Sequence, residues 1–323
     1  MHKPKVIVTR QWPAEVETQL KALYDVQLNT SDIPFTPEQL KHAFQSADAV
    51  LTTVTDTINA EVLSVENIRA KIIGNFGVGY NNIDIVTAKA QGLVVTNTPH
   101  VLTECTADIG MLLLLMSARR ASEGERLILN KQWIGWKPTQ LIGQKVTGKT
   151  LGLIGFGRIA QAMARKAHFG FGMKIIFFNP SAPDQTIVDS LQATRCDSVE
   201  EVLSEAHFVS LHCPGGAATK HLINEERLKL MRPSAHLINT ARGDVVESQA
   251  LIKALKEGWI AGAGLDVFEN EPNLDPEFLE LNNVSLLPHL GSATEETRLA
   301  MGNRVLTNIA AYFAGTEPPD RVV

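Results

Sequence analysis

Residues 150–160 read Thr150-Leu-Gly-Leu-Ile-Gly155-Phe-Gly157-Arg-Ile-Ala160, an apolar run followed by closely spaced glycines. The pattern predicts a short buried strand, a sharp turn and the start of a helix, and it matches the fingerprint G-x-G-x-x-[GA]. Gly155 permits the turn, Gly157 keeps a side chain away from a bound pyrophosphate, and Ala160 still allows close helix packing. Glycines also interrupt strands for structural reasons alone, so the residues after the motif must support a dinucleotide site.

Five further apolar runs follow this strand, with room for helices between most of them. The six predicted strands are residues 151–155, 174–178, 208–212, 235–240, 260–266 and 284–288. The predicted helices between them include 198–205, 225–231 and 249–258. Six strands joined by helical crossovers make a complete doubly wound domain, which we predict as a dinucleotide-binding domain over residues 100–289.

The N-terminal part shows the same alternation on a smaller scale, with Thr36-Pro-Glu38 predicting a capped helix. Near the other end, Ser292-Ala-Thr-Glu295 has the pattern of a capping box and predicts a helix reaching about Phe313. No strand is predicted after that helix, so it is expected to return to the N-terminal part. We predict an α/β fold with two Rossmann-like domains and doubly wound parallel sheets, in which residues 1–99 and 290–323 form a discontinuous substrate-binding (catalytic) domain.

A long helical segment is predicted over residues 103–130, with apolar positions on most faces of its first half. A helix that is apolar all round must be buried, between either two domains or two subunits. Trp133 and Trp136 follow it, and their side chains are expected to pack in a core or an interface. A homodimer is therefore predicted.

Composition excludes several classes of protein. The 323 residues carry a formal net charge of -5 without long blocks of Lys or Arg, so neither nucleic acid nor a membrane surface is an expected partner. The longest apolar stretch, residues 109–116, is too short to cross a bilayer, and the N-terminus lacks the apolar core of a signal peptide. The three cysteines are widely spaced and predict neither a disulfide framework nor a metal site, which is typical of a cytoplasmic protein.

Polar residues follow three of the later predicted strands. Ligands of open α/β sheets bind outside the carboxyl ends of the strands, so Arg242, Glu271 and His289 are expected to converge. A guanidinium can hold a carboxylate and polarise the adjacent carbonyl, while an imidazolium donates a proton. Glu271 would orient the imidazole and raise its pKa. The trio suits reduction of a carbonyl beside a carboxylate, although each residue alone also fits a structural role.

The chain resembles the D-2-hydroxyacid dehydrogenases, and within them the glyoxylate and hydroxypyruvate reductase branch. The resemblance runs essentially end to end. Its motifs are Asn75-Phe-Gly-Val-Gly-Tyr-Asn-Asn-Ile-Asp84, Thr106-Ala-Asp108, Leu153-Ile-Gly-Phe-Gly-Arg-Ile159, His212-Cys-Pro214 with Thr219, Asn239-Thr-Ala-Arg-Gly243, Asp266-Val-Phe-Glu-Asn-Glu-Pro272 and Pro288-His-Leu-Gly-Ser292.

The resemblance implies an NAD(P)H-dependent reductase of small 2-oxo acids. Arg242 would bind and polarise the substrate, His289 would be the acid/base with Glu271 as its partner, and Val78 and Gly79 would offer backbone N–H groups to the substrate carboxylate. The implied cofactor-binding residues are Thr106, Gly155, Phe156, Gly157, Arg158, Ile159, Asn179, Pro180, Ser181, Pro214, Thr219, Thr240, Ala241, Asp266, His289 and Gly291.

Two positions depart from the family pattern. NAD-specific members carry an acidic residue where this chain has Asn179, followed by Pro180 and Ser181, so nothing there repels a 2′-phosphate, yet no Arg or Lys follows immediately to hold one. We expect NADPH or NADH to be accepted, with a slight preference for NADPH. Gln140 stands where several reductases of this branch have a tryptophan that reaches the neighbouring subunit's active site, which leaves the preferred substrate size open.

Other functions are also consistent with the motifs. A D-lactate or phosphite dehydrogenase is one alternative, and a non-catalytic NAD(H)-sensing protein like the corepressors that share this fold is another. Glu271 argues against formate dehydrogenases, which carry glutamine beside the histidine.

Overall fold

The computed structural model describes residues 3–323 and divides into two compact units. Unit 1 combines the chain up to Leu102 with Ala293–Val323, and unit 2 is the continuous segment Thr103–Ser292. Met1 and His2, with which the predicted domain 1–99 begins, lie outside the described residues.

Both units alternate strands with helices. The strands are β1 (Lys5–Val8), β2 (Asp25–Gln27), β3 (Ala49–Thr53), β4 (Ile72–Phe76), β5 (Val94–Thr96), β6 (Thr150–Ile154), β7 (Lys174–Phe178), β8 (Thr194–Arg195), β9 (Phe208–Leu211), β10 (His236–Asn239), β11 (Gly262–Leu265) and β12 (Val284–Leu286). The helices are α1 (Ala14–Leu23), α2 (Pro37–Ser46), α3 (Ala60–Leu63), α4 (Ile85–Ala90), α5 (Thr103–Ala118), α6 (Ala121–Leu129), α7 (Arg158–Phe171), α8 (Gln185–Ser190), α9 (Val199–Glu205), α10 (Glu225–Leu230), α11 (Ser248–Glu257), α12 (Glu277–Glu280) and α13 (Glu295–Phe313).

Unit 1 is a parallel five-stranded sheet in the order β2-β1-β3-β4-β5. The helix predicted at Thr36 begins there, because Thr36 and Gln39 exchange hydrogen bonds between side chain and backbone in a capping box. Helix α13 packs on β4 so closely that a Cβ atom on Gly74 would lie 2.6 Å from Val305. Residues after Ala293 therefore complete the core of this unit.

The predicted capping box at Ser292 is wrong. Helix α13 is capped by Thr294, whose hydroxyl accepts a hydrogen bond from the N–H of Thr297. The backbone N–H groups of Leu290 and Gly291 are still bound to Asp266, so the chain enters the helix only beyond this turn.

Unit 2 is a parallel seven-stranded sheet in the order β12-β11-β10-β9-β6-β7-β8. The strand of the glycine motif, β6, lies between β7 and β9, where the order of the strands reverses. This is the topological switch point, outside which ligands of doubly wound sheets bind. Six of the seven strands correspond to predicted ones, whereas β8 has only two residues and was not predicted.

The predicted segment 103–130 is two helices, because Arg120 adopts a left-handed conformation with φ 53° between α5 and α6. The apolar helix α5 packs on β11, where a Cβ atom on Gly264 would meet Leu113 at 2.9 Å. A core position for the two tryptophans is wrong: within the chain Trp133 is 55% and Trp136 is 81% exposed. Burial in an interface remains a prediction.

Among the described residues, no helix is both long and apolar enough to cross a membrane.

Candidate active site

The glycine motif forms a tight turn between β6 and α7. Gly155 has φ 86°, and a Cβ atom on it would lie 2.8 Å from the backbone of His212 and of Cys213, so only glycine fits. Gly157 differs, because a Cβ atom there would meet no described atom within 4 Å. Packing within the chain therefore does not explain why this position is a glycine.

Helix α7 starts directly after this glycine. Its N-cap residue, Gly157, has no side chain to bind the first N–H groups, and the first turn contains no acidic residue. Such a helix start presents unsatisfied donors and the positive end of a helix dipole to an anion. An open cradle and a free helix start are what a dinucleotide pyrophosphate requires, so Gly155 to Ile159 fit the predicted cofactor.

Asn179 lies directly after β7 and contacts the same turn. Its Oδ1 accepts a 2.9 Å hydrogen bond from the N–H of Phe156, and its Nδ2 donates to the backbone O and the Oγ of Ser181. The amide is therefore held in place by contacts on both sides. At this point in doubly wound domains, the side chain faces the ribose of the adenosine half.

Arg195 approaches the same residue from a different strand, and the sequence did not single it out. Strand β8 pairs with β7 in parallel register, with Arg195 beside Phe177. The guanidinium donates a 2.9 Å hydrogen bond from Nη2 to the backbone O of Asn179. Recognising it would have required predicting the short strand β8.

Other predicted cofactor residues lie after β9 and β10. Thr219 closes the loop after β9 by donating its hydroxyl to the backbone O of Pro214 at 2.5 Å. Thr240 follows β10, and its hydroxyl is buried with no hydrogen-bond partner among the described residues. A buried hydroxyl is costly without a partner, so this atom indicates a ligand or water.

Arg242 follows in the same turn after β10. One guanidinium nitrogen donates to the backbone O of Ala241 at 2.7 Å. Burial lowers the pKa of Arg242, while the negative charges of Glu271 and Asp244 oppose that change. The charges of two carboxylates thus act on a guanidinium that stays charged at neutral pH.

Glu271 and His289 form a direct pair. Nδ1 of His289 lies 2.8 Å from Oε2 of Glu271, and Oε1 of Glu271 accepts from the N–H of Phe268. Burial alone would raise the pKa of Glu271, but its hydrogen bond to His289, with the charges of His289 and Arg242, gives a net lowering. The structure therefore brings the three predicted catalytic residues together in unit 2.

Asp266 holds the turn that carries His289. Its two carboxylate oxygens accept from the N–H groups of Leu290 and Gly291, and its backbone O accepts from His289. Burial raises the pKa of Asp266, opposed by these N–H groups and by His289. Thr106 secures the same turn by donating its hydroxyl to the O of Gly291. Two predicted cofactor residues thus also position the histidine.

A second acidic residue, Glu269, steadies the loop that bears Glu271. Its carboxylate contacts Nε2 of His221 at 2.7 Å and accepts from the N–H of Ser248. The backbone N–H of His221 in turn donates to Asp244, so the segment after β9 is tied to the loops after β10 and β11. This pair was missed because nothing in the sequence links His221 to Glu269.

Val78 and Gly79 lie in unit 1, just after β4. Their carbonyl groups accept from the side chains of Asn97 and Asn75, whereas their N–H groups bond to none of residues 3–323. Two such N–H groups on a glycine-rich turn are suited to a small anion.

The described part of the chain contains no group of three His, Cys, Asp or Glu side chains arranged to hold a metal ion.

Comparison with known proteins gives consistent matches. A profile described as "D-isomer specific 2-hydroxyacid dehydrogenase, NAD binding domain" matches residues 111–291, all within unit 2. Glyoxylate reductase of Thermococcus litoralis is 46% identical, covering 99% of this chain and 97% of that protein. Glycerate dehydrogenase of Hyphomicrobium methylovorum is 38% identical, covering 98% of each.

A solved structure agrees. The NADPH-dependent glyoxylate/hydroxypyruvate reductase of Sinorhizobium meliloti superposes with a TM-score of 0.86 at 31% identity, covering 99% of this chain and 98% of that one. These matches confirm the predicted family and the predicted class of fold. The chain belongs to the D-isomer specific 2-hydroxyacid dehydrogenase family, with the family's NAD-binding domain in unit 2.

Proposed function

We propose that the protein reduces small 2-oxo acids to 2-hydroxy acids with NADPH or NADH, with glyoxylate and hydroxypyruvate as the leading substrates and D-configured products where the product is chiral. The contact between Nδ1 of His289 and Oε2 of Glu271, beside the charged guanidinium of Arg242, carries this proposal. The names of the relatives from T. litoralis and H. methylovorum support it.

Each residue of the site has a separate role in the proposed reaction. When bound, the nicotinamide supplies the hydride that reaches the carbonyl carbon. Arg242 binds the substrate and polarises its carbonyl. The N–H groups of Val78 and Gly79 are the proposed donors of unit 1 to a carboxylate. His289 donates a proton from Nε2 to the carbonyl oxygen, because its Nδ1 is engaged by Glu271. In this proposal unit 1 is the substrate-binding domain.

NADPH is the proposed preferred cofactor. The amide of Asn179 carries no negative charge, so it does not repel a 2′-phosphate as a carboxylate would. The S. meliloti relative is described as NADPH-dependent, which supports the same direction.

A homodimer is also proposed, formed through residues 128–142. Large apolar side chains are exposed along this segment within the chain, including Trp133, Ile134 and Trp136. A monomer rarely leaves so much contiguous apolar surface in water.

The direct test follows the oxidation of NADPH and NADH separately with glyoxylate, hydroxypyruvate, pyruvate and oxaloacetate. Turnover should be fastest with glyoxylate or hydroxypyruvate. If no 2-oxo acid gives turnover with either cofactor while both cofactors bind, the chain is a nucleotide-binding protein and the proposed reaction is wrong.

A further inference from the structure

No positively charged residue directly follows β7 in the sequence. Asn179, Pro180 and Ser181 are all neutral, whereas a phosphate on the 2′ position of the ribose needs a cationic partner. The partner must then come from another element.

Strand β8 supplies one. Its parallel pairing with β7 places Arg195 at the carboxyl end of both strands, where Nη2 donates to the backbone O of Asn179 at 2.9 Å. An arginine side chain has five N–H donors, and this contact uses one of them. Arg195 is exposed and makes no ion pair within residues 3–323, so its charge is not already neutralised by a carboxylate.

Ser181 adds a hydroxyl beside it. The Oγ of Ser181 accepts from Nδ2 of Asn179 at 3.1 Å, which leaves the hydroxyl hydrogen available to an anion. Asn179 is fixed by Phe156 of the glycine turn, so these groups are attached to the element that fits the pyrophosphate.

From this arrangement we infer that Arg195, together with the hydroxyl of Ser181, is the binding site for the 2′-phosphate of NADPH and sets the preference over NADH. The inference rests on the proposed function for the identity of the cofactor. It assigns cofactor selection to a residue sixteen positions beyond Asn179 along the chain.

The test measures binding rather than turnover. Isothermal titration calorimetry of the whole protein compares NADPH with NADH, and adenosine 2′,5′-bisphosphate with adenosine 5′-phosphate. In Arg195→Ala the dissociation constants for the two 2′-phosphorylated ligands should rise about 10- to 100-fold, as expected for one lost charge-assisted contact. Those for NADH and adenosine 5′-phosphate should stay within about twofold, as for a surface substitution.

Lys174→Ala is the matched control, because Lys174 is an exposed cation at the opposite end of β7. It should change none of the four dissociation constants. Arg195→Gln separates charge from structure, since glutamine can still donate to the backbone O of Asn179; it should lose the 2′-phosphate preference and keep the melting temperature.

Equal weakening of phosphorylated and unphosphorylated ligands, or no weakening at all, would overturn the inference. The proposed reaction is tested separately. If Arg195→Ala weakens only the 2′-phosphorylated ligands but the protein turns over no 2-oxo acid, the phosphate site is supported and the proposed reaction is wrong.

Discussion

His289 combines an engaged Nδ1 with a left-handed backbone, φ 55°, which is uncommon for a residue other than glycine. Two contacts offset the cost of this conformation: the backbone N–H of His289 donates to Asp266, and its ring contacts Glu271. His289 is therefore held in place through both its backbone and its ring. As the proposed proton donor, a histidine fixed in this way would need little reorganisation during the reaction.

Replacing His289 with alanine should separate chemistry from binding. His289→Ala should lower kcat by about 100- to 10,000-fold, the usual contribution of a general acid. The dissociation constant for NADPH should change little, because Asp266 binds the backbone of residues 289–291 rather than the ring. Steady-state kinetics and calorimetry check this, and equal losses in both quantities would indicate a structural histidine.

The pKa of Glu271 predicts where activity falls in acid. Since the net shift is downward, the carboxylate stays ionised below the usual range for Glu and is lost only as the pH falls through its lowered pKa. As the pH falls through this lowered pKa, His289 loses the negatively charged carboxylate that it contacts, so kcat/KM should fall. In Glu271→Gln this limb of the pH profile should be absent, and its persistence would assign it to another group.

The convergence of Arg242, Glu271 and His289, the proposed catalytic residues, was predictable because residue type and position at strand ends restrict the chemistry. Arg195 and the His221–Glu269 pair were not, because each depends on a contact between segments far apart in the sequence. Local sequence patterns identify which residues follow a strand, but they do not show which other segments of the chain those residues contact.

At the scale of single elements, the turn between β6 and α7 contains Gly157, which has open space beside it where the pyrophosphate is proposed to bind. Gly157→Ala should fold normally, because φ is -76° and a Cβ atom would meet nothing within 4 Å. The unfolding free energy should stay within about 0.5 kcal/mol, as for a surface substitution. The NADPH dissociation constant should nevertheless rise at least about tenfold if the methyl group meets a pyrophosphate. Unchanged affinity would place the pyrophosphate elsewhere.

Gly243, in contrast to Gly157, is closely surrounded by backbone atoms. A Cβ atom there would lie 1.9 Å from the backbone of Phe268, in the loop that carries Glu271. Gly243→Ala should therefore cost about 1–3 kcal/mol or more of stability through overpacking, and should lower kcat in the folded fraction. Gly170→Ala in α7 is the control, since it meets no atom within 4 Å and should stabilise or leave unchanged the melting temperature. Similar behaviour of the two variants would contradict the close approach of these loops.

Element type was predictable where the pattern was strongly apolar, as for β6, or where it carried a capping signal, as for α2. The break at Arg120 was missed, since both flanking segments have good helical sequences and the left-handed residue between them is not a glycine. The start of α13 was misplaced by two residues, because Thr294 caps it instead of Ser292.

At the scale of the whole molecule, the exposed apolar segment 128–142 predicts the oligomeric state. The double substitution Ile134→Ser with Trp136→Ser should convert the proposed dimer to a monomer, because it removes two large side chains that are each 81% exposed within the chain. Sedimentation equilibrium measures this. Phe169→Ser, which removes another exposed aromatic from α7, should remain dimeric, and a wild-type monomer would contradict the proposal.

The two-unit organisation, with the last helix packed on the N-terminal sheet, follows from the order of strands and helices, but the contacts of the residues beyond that helix do not. Beyond α13, Val322 and Val323 exchange hydrogen bonds with Val95 of β5, and Asp320 binds Arg304 and Asn308. These contacts involve side chains and single backbone groups without any periodic pattern, so the sequence did not indicate them.

This pairing of β5 with the last residues has a consequence for synthesis on the ribosome. Unit 2 is one uninterrupted segment and can fold as soon as it has emerged, whereas unit 1 must wait, with its first 102 residues exposed, until residues 293–323 have been made. Helix α13 supplies the side chains that cover β4. The first 102 residues of the chain thus emerge first and complete their structure last, and during that interval their apolar sheet is a natural substrate for chaperones.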